Sequence, residues 1–296
     1  MTSPPLGTIV DAHLHVWDPS RGVYPWLGSG LAPVNRAMAL PEVLPELAGR
    51  GVTAVVLVQS ADSDFDTDLM FETASSHRQV VGVVGWLPLD RPALAASRLA
   101  HLREHPLFAG VRCLIHERPD PHWILGRTVD AGLDLLEQHG VPFDFVAAGS
   151  AALTVAAEVA RRHPGLHLVL DHLGAPPLHD DPAQAEQWRQ TLEVLAGHPR
   201  VCVKLSGLYP GRVADDGAPA RAGAYIRTAF DLFGSDRLMY GGDWPICLLH
   251  EPYGRTLDIV QRSLADLDAG GWNDVLAATA ARVYGIDPLR LAAAAA

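Results

Sequence analysis

Short runs of β-branched and apolar residues recur along the whole chain, and segments with helical spacing or helix punctuation separate most of them. The strands read as TIVDAHLHVW from Thr8, VTAVVLVQ from Val52, VVGVVGWLP from Val80, FAGVRCLI from Phe108, VPFDFVA from Val141, LHLVLDHLG from Leu166, RVCVKLSGLY from Arg200 and RLMYGGDWP from Arg237. Their starts recur roughly every 33 residues, near the ~31 of a 250-residue eightfold barrel. An open doubly wound sheet more often stops at about five or six strands. Near-continuous apolar strands suit a parallel sheet covered by helices. The pattern predicts an α/β fold, a (β/α)8 TIM barrel, with residues 1–296 forming a single domain.

Punctuation supports the alternation. Ser150 can cap a helix running through Ala160 to Arg162, Gly140 ends the segment QHG, and Pro92 suits a first helical turn. Residues 16–45, rich in Pro, Gly and Trp, and residues 209–220 are too long for ordinary βα loops. Both follow strand C-termini, where barrel enzymes build their pockets. The terminal LAAAAA has helix-forming composition without a pattern and receives no assignment.

Composition then closes off several classes. Hydrophobic residues make up 48% and charged residues 19%, enough apolar material for a sizeable core and too little charge for disorder. The net charge of −11, with no long basic run, argues against nucleic acid as a partner. Cys113, Cys202 and Cys247 are widely spaced in apolar runs and suggest neither a disulfide framework nor a metal site. The opening MTSPPLGT lacks the basic and apolar regions of a signal peptide, and no apolar stretch approaches the ~20 residues that span a bilayer. These features predict a cytoplasmic protein with no membrane partner, and they are compatible with a homo-oligomer.

Candidate chemistry collects at strand ends. Residues two apart on a strand share a face, so His13 and His15 point together. At the mouth of a barrel, two imidazoles can hold a metal, a substrate oxygen or a water, although two polar residues at a strand edge would read the same. The sixth strand ends in Asp171 and His172, and the eighth ends in Asp243 after two glycines that let backbone approach closely. Closure of the barrel would set Asp243 beside His13 and His15, with His172 two strands further round. A lone buried His or Asp is usually structural, but four of them at matching strand ends favour a catalytic site.

DAHLHVWDP at the start, GVR on the fourth strand, DHLG on the sixth, KLSGL on the seventh and YGGDWP on the eighth resemble the amidohydrolase superfamily. The resemblance is to its amidohydrolase-2 type and, more narrowly, to the sugar-lactonase branch of fuconolactonases and rhamnonolactonases. It runs from Asp11 to ATAARVYG near residue 285. The superfamily pattern implies metal ligands at HxH on strand one, Lys or Glu on strand four, His on strands five and six, and Asp on strand eight. His13, His15, His172 and Asp243 match. Strand four offers Arg112 and Cys113 instead, and strand five, VPFDFVA, has no His. The resemblance therefore implies one divalent metal such as zinc on those four residues or, as the leading option, no required cofactor.

The implied activity is hydrolysis of a sugar-acid lactone or related small lactone, with Asp243 as general base on water and His172, His13, His15 or Arg112 polarising the carbonyl. The alternatives are a zinc-dependent amidohydrolase or nonoxidative decarboxylase on the same residues, and a noncatalytic sugar-acid binding barrel. Arg112, alone in an apolar strand, needs a carboxylate partner or a substrate anion. Gln59 and Trp86 end strands two and three and are candidates to line the pocket. His116, Glu117 and Asp120 follow strand four, and Trp26, Tyr209 and Trp244 are candidates to stack on a sugar ring. Asp144 and Lys204 lie inside strands five and seven, where a buried pair is conceivable. His101, His105, His163 and His198 read as surface residues or helix-end partners.

Overall fold

The computed structural model describes residues 7–120, 122–147, 149–212 and 216–296. Eight parallel strands pair in chain order: β1 (Ile9–Leu14), β2 (Val52–Val58), β3 (Val80–Gly85), β4 (Phe108–Cys113), β5 (Phe143–Phe145), β6 (Leu168–Leu170), β7 (Val201–Leu205) and β8 (Leu238–Tyr240). Parallel neighbours require a crossover, which a helix supplies after each strand. These helices are α1 (Leu44–Gly49), α2 (Asp64–Ser76), α3 (Pro92–Leu102), α4 (Arg127–His139), α5 (Ser150–Arg162), α6 (Pro182–Ala196), α7 (Ala218–Phe233) and α8 (Arg255–Ser263). Three more follow: α9 (Ala269–Asn273), α10 (Thr279–Val283) and α11 (Pro288–Ala295).

The ring closes just beyond the end of β8. Leu14 pairs in parallel with Trp244, the Asp243 amide donates to the His13 carbonyl at 2.7 Å, and the His15 amide donates to the Trp244 carbonyl at 2.8 Å. The architecture is a (β/α)8 TIM barrel. Every strand starts within two residues of its sequence-derived start. β5, β6 and β8 are shorter than their apolar runs, because the last residues of each run leave the ladder to form the mouth.

Gly140 caps α4 with a left-handed φ of 64° and Pro92 opens α3, as their residue types require. Ser150 is the first residue of α5 and Gly149 occupies the cap, one place earlier than the sequence suggests. The 16–45 segment folds back on itself: Trp17 and Met38 exchange backbone bonds, and the Trp17 indole donates to the Val34 carbonyl at 3.1 Å. Of the 209–220 segment, residues 213–215 lie outside the described residues. The unassigned LAAAAA belongs to α11. Leu291 and Ala294 of this helix join a buried cluster with Val10, Ala54, Val56, Val169 and Met239. Among the described residues, no helix is long and apolar enough to cross a membrane.

Alternation along the strands separates two apolar layers. Phe143, Phe145, Leu168, Leu170, Val201, Val203 and Leu205 pack together outside the barrel against the helices. Val169, Cys202 and Met239 point inward. Above them the interior turns polar, with Arg112, Asp144, Asp171 and Lys204 all buried.

Candidate active site

β1 carries one extra residue against β2, since Asp11 pairs with Val55 but Leu14 pairs with Leu57. Such a bulge re-aims side chains. Asp11 turns outward, where its carboxylate accepts from the Gly242 amide at 2.8 Å, the His13 amide at 2.9 Å and the Tyr253 hydroxyl at 2.7 Å. Burial nevertheless pushes its pKa up to about 6. His13 and His15 turn inward, and their Nε2 atoms approach to 3.1 Å. Gly241 and Gly242 are needed here. A Cβ on Gly241 would stand 2.7 Å from that of His13, and one on Gly242 would stand 2.6 Å from the Asp11 carboxylate.

The four residues singled out in the sequence meet at one place. The Asp243 carboxylate lies 3.3 Å from His15 Nε2, 3.6 Å from His13 Nε2 and 4.0 Å from His172 Nε2. The Tyr209 hydroxyl donates to Oδ2, the oxygen on the His172 side, while His13 and His15 face Oδ1. Burial would raise the Asp243 pKa, but the surrounding imidazoles more than offset this and hold it below the usual carboxylate range. Both Asp243 and His172 adopt left-handed backbone, at φ 55° and 56°. A non-glycine residue there is uncommon and costs about 1–3 kcal/mol, a strain that clusters at functional sites. His172 also depends on Gly207, whose Cβ would come within 2.5 Å of the imidazole.

Ring orientations follow from the outer nitrogens. His15 Nδ1 faces the Val58 carbonyl at 2.7 Å, and a carbonyl only accepts. His15 Nδ1 therefore carries a proton, and Nε2 is turned toward Asp243. His13 is held between donors on both ring nitrogens, with Arg112 Nη1 3.3 Å from Nε2 and Lys204 Nζ 3.1 Å from Nδ1, and the Asp171 carboxylate also lies 3.2 Å from Nδ1. His172 Nδ1 meets the Ser206 hydroxyl at 2.9 Å. Burial lowers the pKa of both His13 and His172, keeping the imidazoles neutral. The mouth is thus a nest in which the Asp243 carboxylate and the His15 and His172 imidazole Nε2 atoms face one space, which a proton-bearing guest or a cation would satisfy.

Beneath the mouth lies a fully buried ionic layer. Lys204 Nζ contacts Asp144 at 2.5 Å and Asp171 at 3.2 Å, and it stands 3.1 Å from His13 Nδ1. Arg112 Nε lies 3.3 Å from the other Asp171 oxygen. The Tyr284 hydroxyl contacts both Asp144 oxygens, at 2.9 and 3.0 Å. Burial raises the Asp144 pKa to about 6 against the pull of Lys204. Burial also opposes ionisation of Asp171, but Lys204, His13 and Arg112 outweigh it and hold Asp171 well below the ordinary value. The Asp144–Lys204 pair thus exists and extends to His13. Asp11 and Asp171 were legible as acidic residues beside histidines, but nothing in the sequence assigns them these partners.

A cavity of about 400 Å³ opens above the nest, within the ~300–1,000 Å³ of small-molecule sites. His15, His172, Asp243, Arg112, His116, Tyr209 and Trp26 line it, joined by Trp17, Ser60 and Arg212, which the sequence reading passed over. His13 lies directly below, with no exposed surface. Tyr209 serves Asp243 rather than presenting a free ring face, because it is buried with its hydroxyl on the carboxylate. Burial, then Arg112 and His172, push the His116 pKa down to about 4.

Three candidates fall outside the cavity wall. The Gln59 amide donates to the Arg112 carbonyl at 3.0 Å and to Asp62 at 3.2 Å, bracing the strand ends. Trp86 packs against the outer apolar layer, and Trp244 is buried among the residues of the 16–45 segment. Geometry separates these from the lining residues: each side chain points away from the axis, a direction that strand-end position alone does not reveal. Glu117 lines the cavity, whereas Asp120 sits on the surface bonded to the His122 amide.

The donor set fits one divalent ion. The Asp243 carboxylate stands 3.3 to 4.0 Å from three imidazole Nε2 atoms, near the ~3.3 Å between neighbouring ligands of a tetrahedral zinc. Among the described residues, His13, His172 and Asp243 bring their ligand atoms within 4.8 Å of one another. Among the described residues no second set stands beside it, and Asp144 on β5 is committed to Lys204 and Tyr284.

The amidohydrolase family profile matches residues 10–286. The chain belongs to the amidohydrolase family. This amidohydrolase is 33% identical over 246 residues to an L-fucono-1,5-lactonase of Burkholderia ambifaria, covering 83% of each chain. It is also 33% identical over 288 residues to an L-fucono-1,5-lactonase of Burkholderia multivorans, covering 94% of this chain and 96% of that one. The crystal structure of an amidohydrolase from Burkholderia multivorans with bound zinc superposes with a TM-score of 0.87 at 29% identity, over 95% of this chain and 100% of that one.

Proposed function

We propose that this amidohydrolase opens a sugar-acid lactone. The observation that carries the reading is the Asp243 carboxylate set among three imidazoles in a cavity that also holds a buried guanidinium. The two lactonases that share a third of its residues over most of the chain support the same substrate class.

The nest explains how water would be handled. Water donates its protons to Asp243 and an imidazole nitrogen, which leaves an oxygen lone pair for the lactone carbonyl. As that oxygen attacks the carbonyl carbon, Asp243 takes the proton and the carbonyl π pair moves onto oxygen. The Arg112 guanidinium, already held by Asp171, meets the developing negative charge without reorganising. Collapse breaks the bond to the ring oxygen, which leaves as an alkoxide and regains the proton through Asp243 or His172. An ester-like carbonyl is activated enough for this apparatus, whereas an amide would demand more.

A divalent ion, when bound, would rest on His13, His15, His172 and Asp243 and would supply Lewis-acid polarisation. Arg112 already places a fixed positive charge 3.3 Å from His13 Nε2, so we assign turnover to the protein groups alone. A panel of five- and six-membered aldonolactones and muconolactone-type compounds, assayed with and without chelator, tests both points. Turnover of the sugar lactones is expected, unchanged by chelator. Turnover of none of them would sink the substrate class, while activity lost to chelator and restored by zinc would replace the protein-only mechanism with a zinc-dependent one.

Arg112→Lys keeps a cation beside Asp171 but loses the planar fork. Its kcat on the best lactone is expected to fall by ~10²–10³-fold, the scale of losing one preorganised donor to an oxyanion. Unchanged kcat would remove Arg112 from the reaction. The proposal includes a cytoplasmic location, which the three buried cysteines support: none of them is in a disulfide.

A further inference from the structure

A second cluster of ligand-type side chains lies far from the mouth, where α4 meets the end of α5. Asp130, Asp134 and Glu137 fall along one stripe of α4, spaced by four and three residues. His163, directly after α5, lays its imidazole across that stripe. The sequence marks His163 as a surface residue or a helix-end partner; it does stand at the end of α5, but its side chain is only 2% exposed. Its Nε2 stands 3.1 Å from Asp130. A carboxylate only accepts, so this nitrogen carries the proton. Nδ1 is the nitrogen left facing the other two acids. It is buried and makes no hydrogen bond, yet Asp134 and Glu137 oxygens lie 3.2 and 3.6 Å from it.

Two carboxylate oxygens crowded against a buried nitrogen that makes no hydrogen bond call for positive charge among them. The other Glu137 oxygen is already used by the Gly165 amide, which fixes the side chain and leaves the second oxygen toward His163. The ligand atoms all lie within 4.8 Å of one another, and the separations from Nδ1 straddle the ~3.3 Å expected between neighbouring ligands of a tetrahedral ion. Asp130 completes the pattern in which a carboxylate orients the outer N–H of a ligating imidazole. The Arg162 guanidinium reaches Asp130 at 3.4 Å and also binds Glu158 and the Leu125 carbonyl, which sets it on the Nε2 side of the imidazole and not on the Nδ1 side.

The geometry points to a second divalent-cation site formed by His163 Nδ1, Asp134 and Glu137, of zinc-like preference, tying α4 to the end of α5. One imidazole with two carboxylates suits zinc, whereas calcium prefers an all-oxygen set. The site is separate from the reaction, so it stands whatever the active-site nest binds.

Zinc uptake by the chelator-stripped full chain, measured by equilibrium dialysis, tests the assignment. Asp134→Asn/Glu137→Gln is expected to bind one equivalent fewer than the wild type, with lactone turnover unchanged. Asp130→Asn is expected to keep the stoichiometry while weakening affinity by ~10–100-fold, the usual cost of losing such an orienting carboxylate. Zinc should also raise the melting temperature of the wild type more than that of the double variant. If the double variant does not fold, Asp134→Ala, at the most exposed of the three ligands, is put through the same dialysis and is expected to lose the equivalent. Equal equivalents in the wild type and the folded ligand variant, or uptake by neither, would overturn the site and leave His163 as an imidazolium clasp.

Discussion

Replacing Asp243 with asparagine is expected to cut lactone turnover by ~10²–10⁴-fold, the contribution of a positioned general base. Asparagine keeps the shape of the side chain but cannot take a proton from water. Its amide would donate toward the imidazole nitrogens that now help to hold the water. The fold should persist for two reasons. Asparagine tolerates the left-handed backbone that residue 243 adopts, at φ 55°. It also retains an oxygen for the Tyr209 hydroxyl. The measurements are steady-state kcat on the best lactone of the panel and the melting temperature. Wild-type kcat in this variant would remove Asp243 from the chemistry, whereas a collapsed melting temperature would turn its role into a structural one.

The second large effect is expected on stability. Lys204→Met removes the one ammonium that lies between Asp144 and Asp171, both fully buried. Removing one partner of a buried ion pair typically costs ~3–5 kcal/mol, because the remaining charge cannot be solvated. In a chain of this size such a loss lowers the melting temperature by roughly 5–8 °C. The double variant Lys204→Met/Asp144→Asn, which no longer strands a full charge on strand five, should recover part of the loss. Their coupling energy is expected at ~1–3 kcal/mol, the range for residues in one network. Thermal unfolding of both singles and the double decides the matter. Additive losses would show that Lys204 and Asp144 act independently and that the ionic layer is not one unit. The layer also orients His13, so Lys204→Met should lower kcat even at temperatures where it remains folded.

The barrel was written in hydrophobic patterning. Eight apolar runs at regular spacing have few other ways to bury both faces, and the strand starts fell within two residues of expectation. Punctuation was equally local: Gly140 and Pro92 sit where backbone geometry demands them. The terminal alanines were illegible for the opposite reason. A run of alanine carries no apolar stripe, and α11 is fixed by what it packs against, not by its own pattern.

His13, His15, His172 and Asp243 could be named because strand ends at the mouth share a location once the barrel is assumed. That location says nothing of direction. Gln59 and Trp244 occupy equivalent positions yet point away from the cavity, and Tyr209 turned from a stacking face into a hydrogen-bond donor for Asp243. The sequence alone determined the fold class and the four-residue constellation, since both follow from periodicity and from closure of a sheet. Only the tertiary structure decided which nitrogens face inward, that Asp171, Lys204 and Arg112 form a layer below them, and that His163 is enclosed by three acids. Those facts depend on distances between residues far apart in the chain, which packing sets and local pattern does not encode.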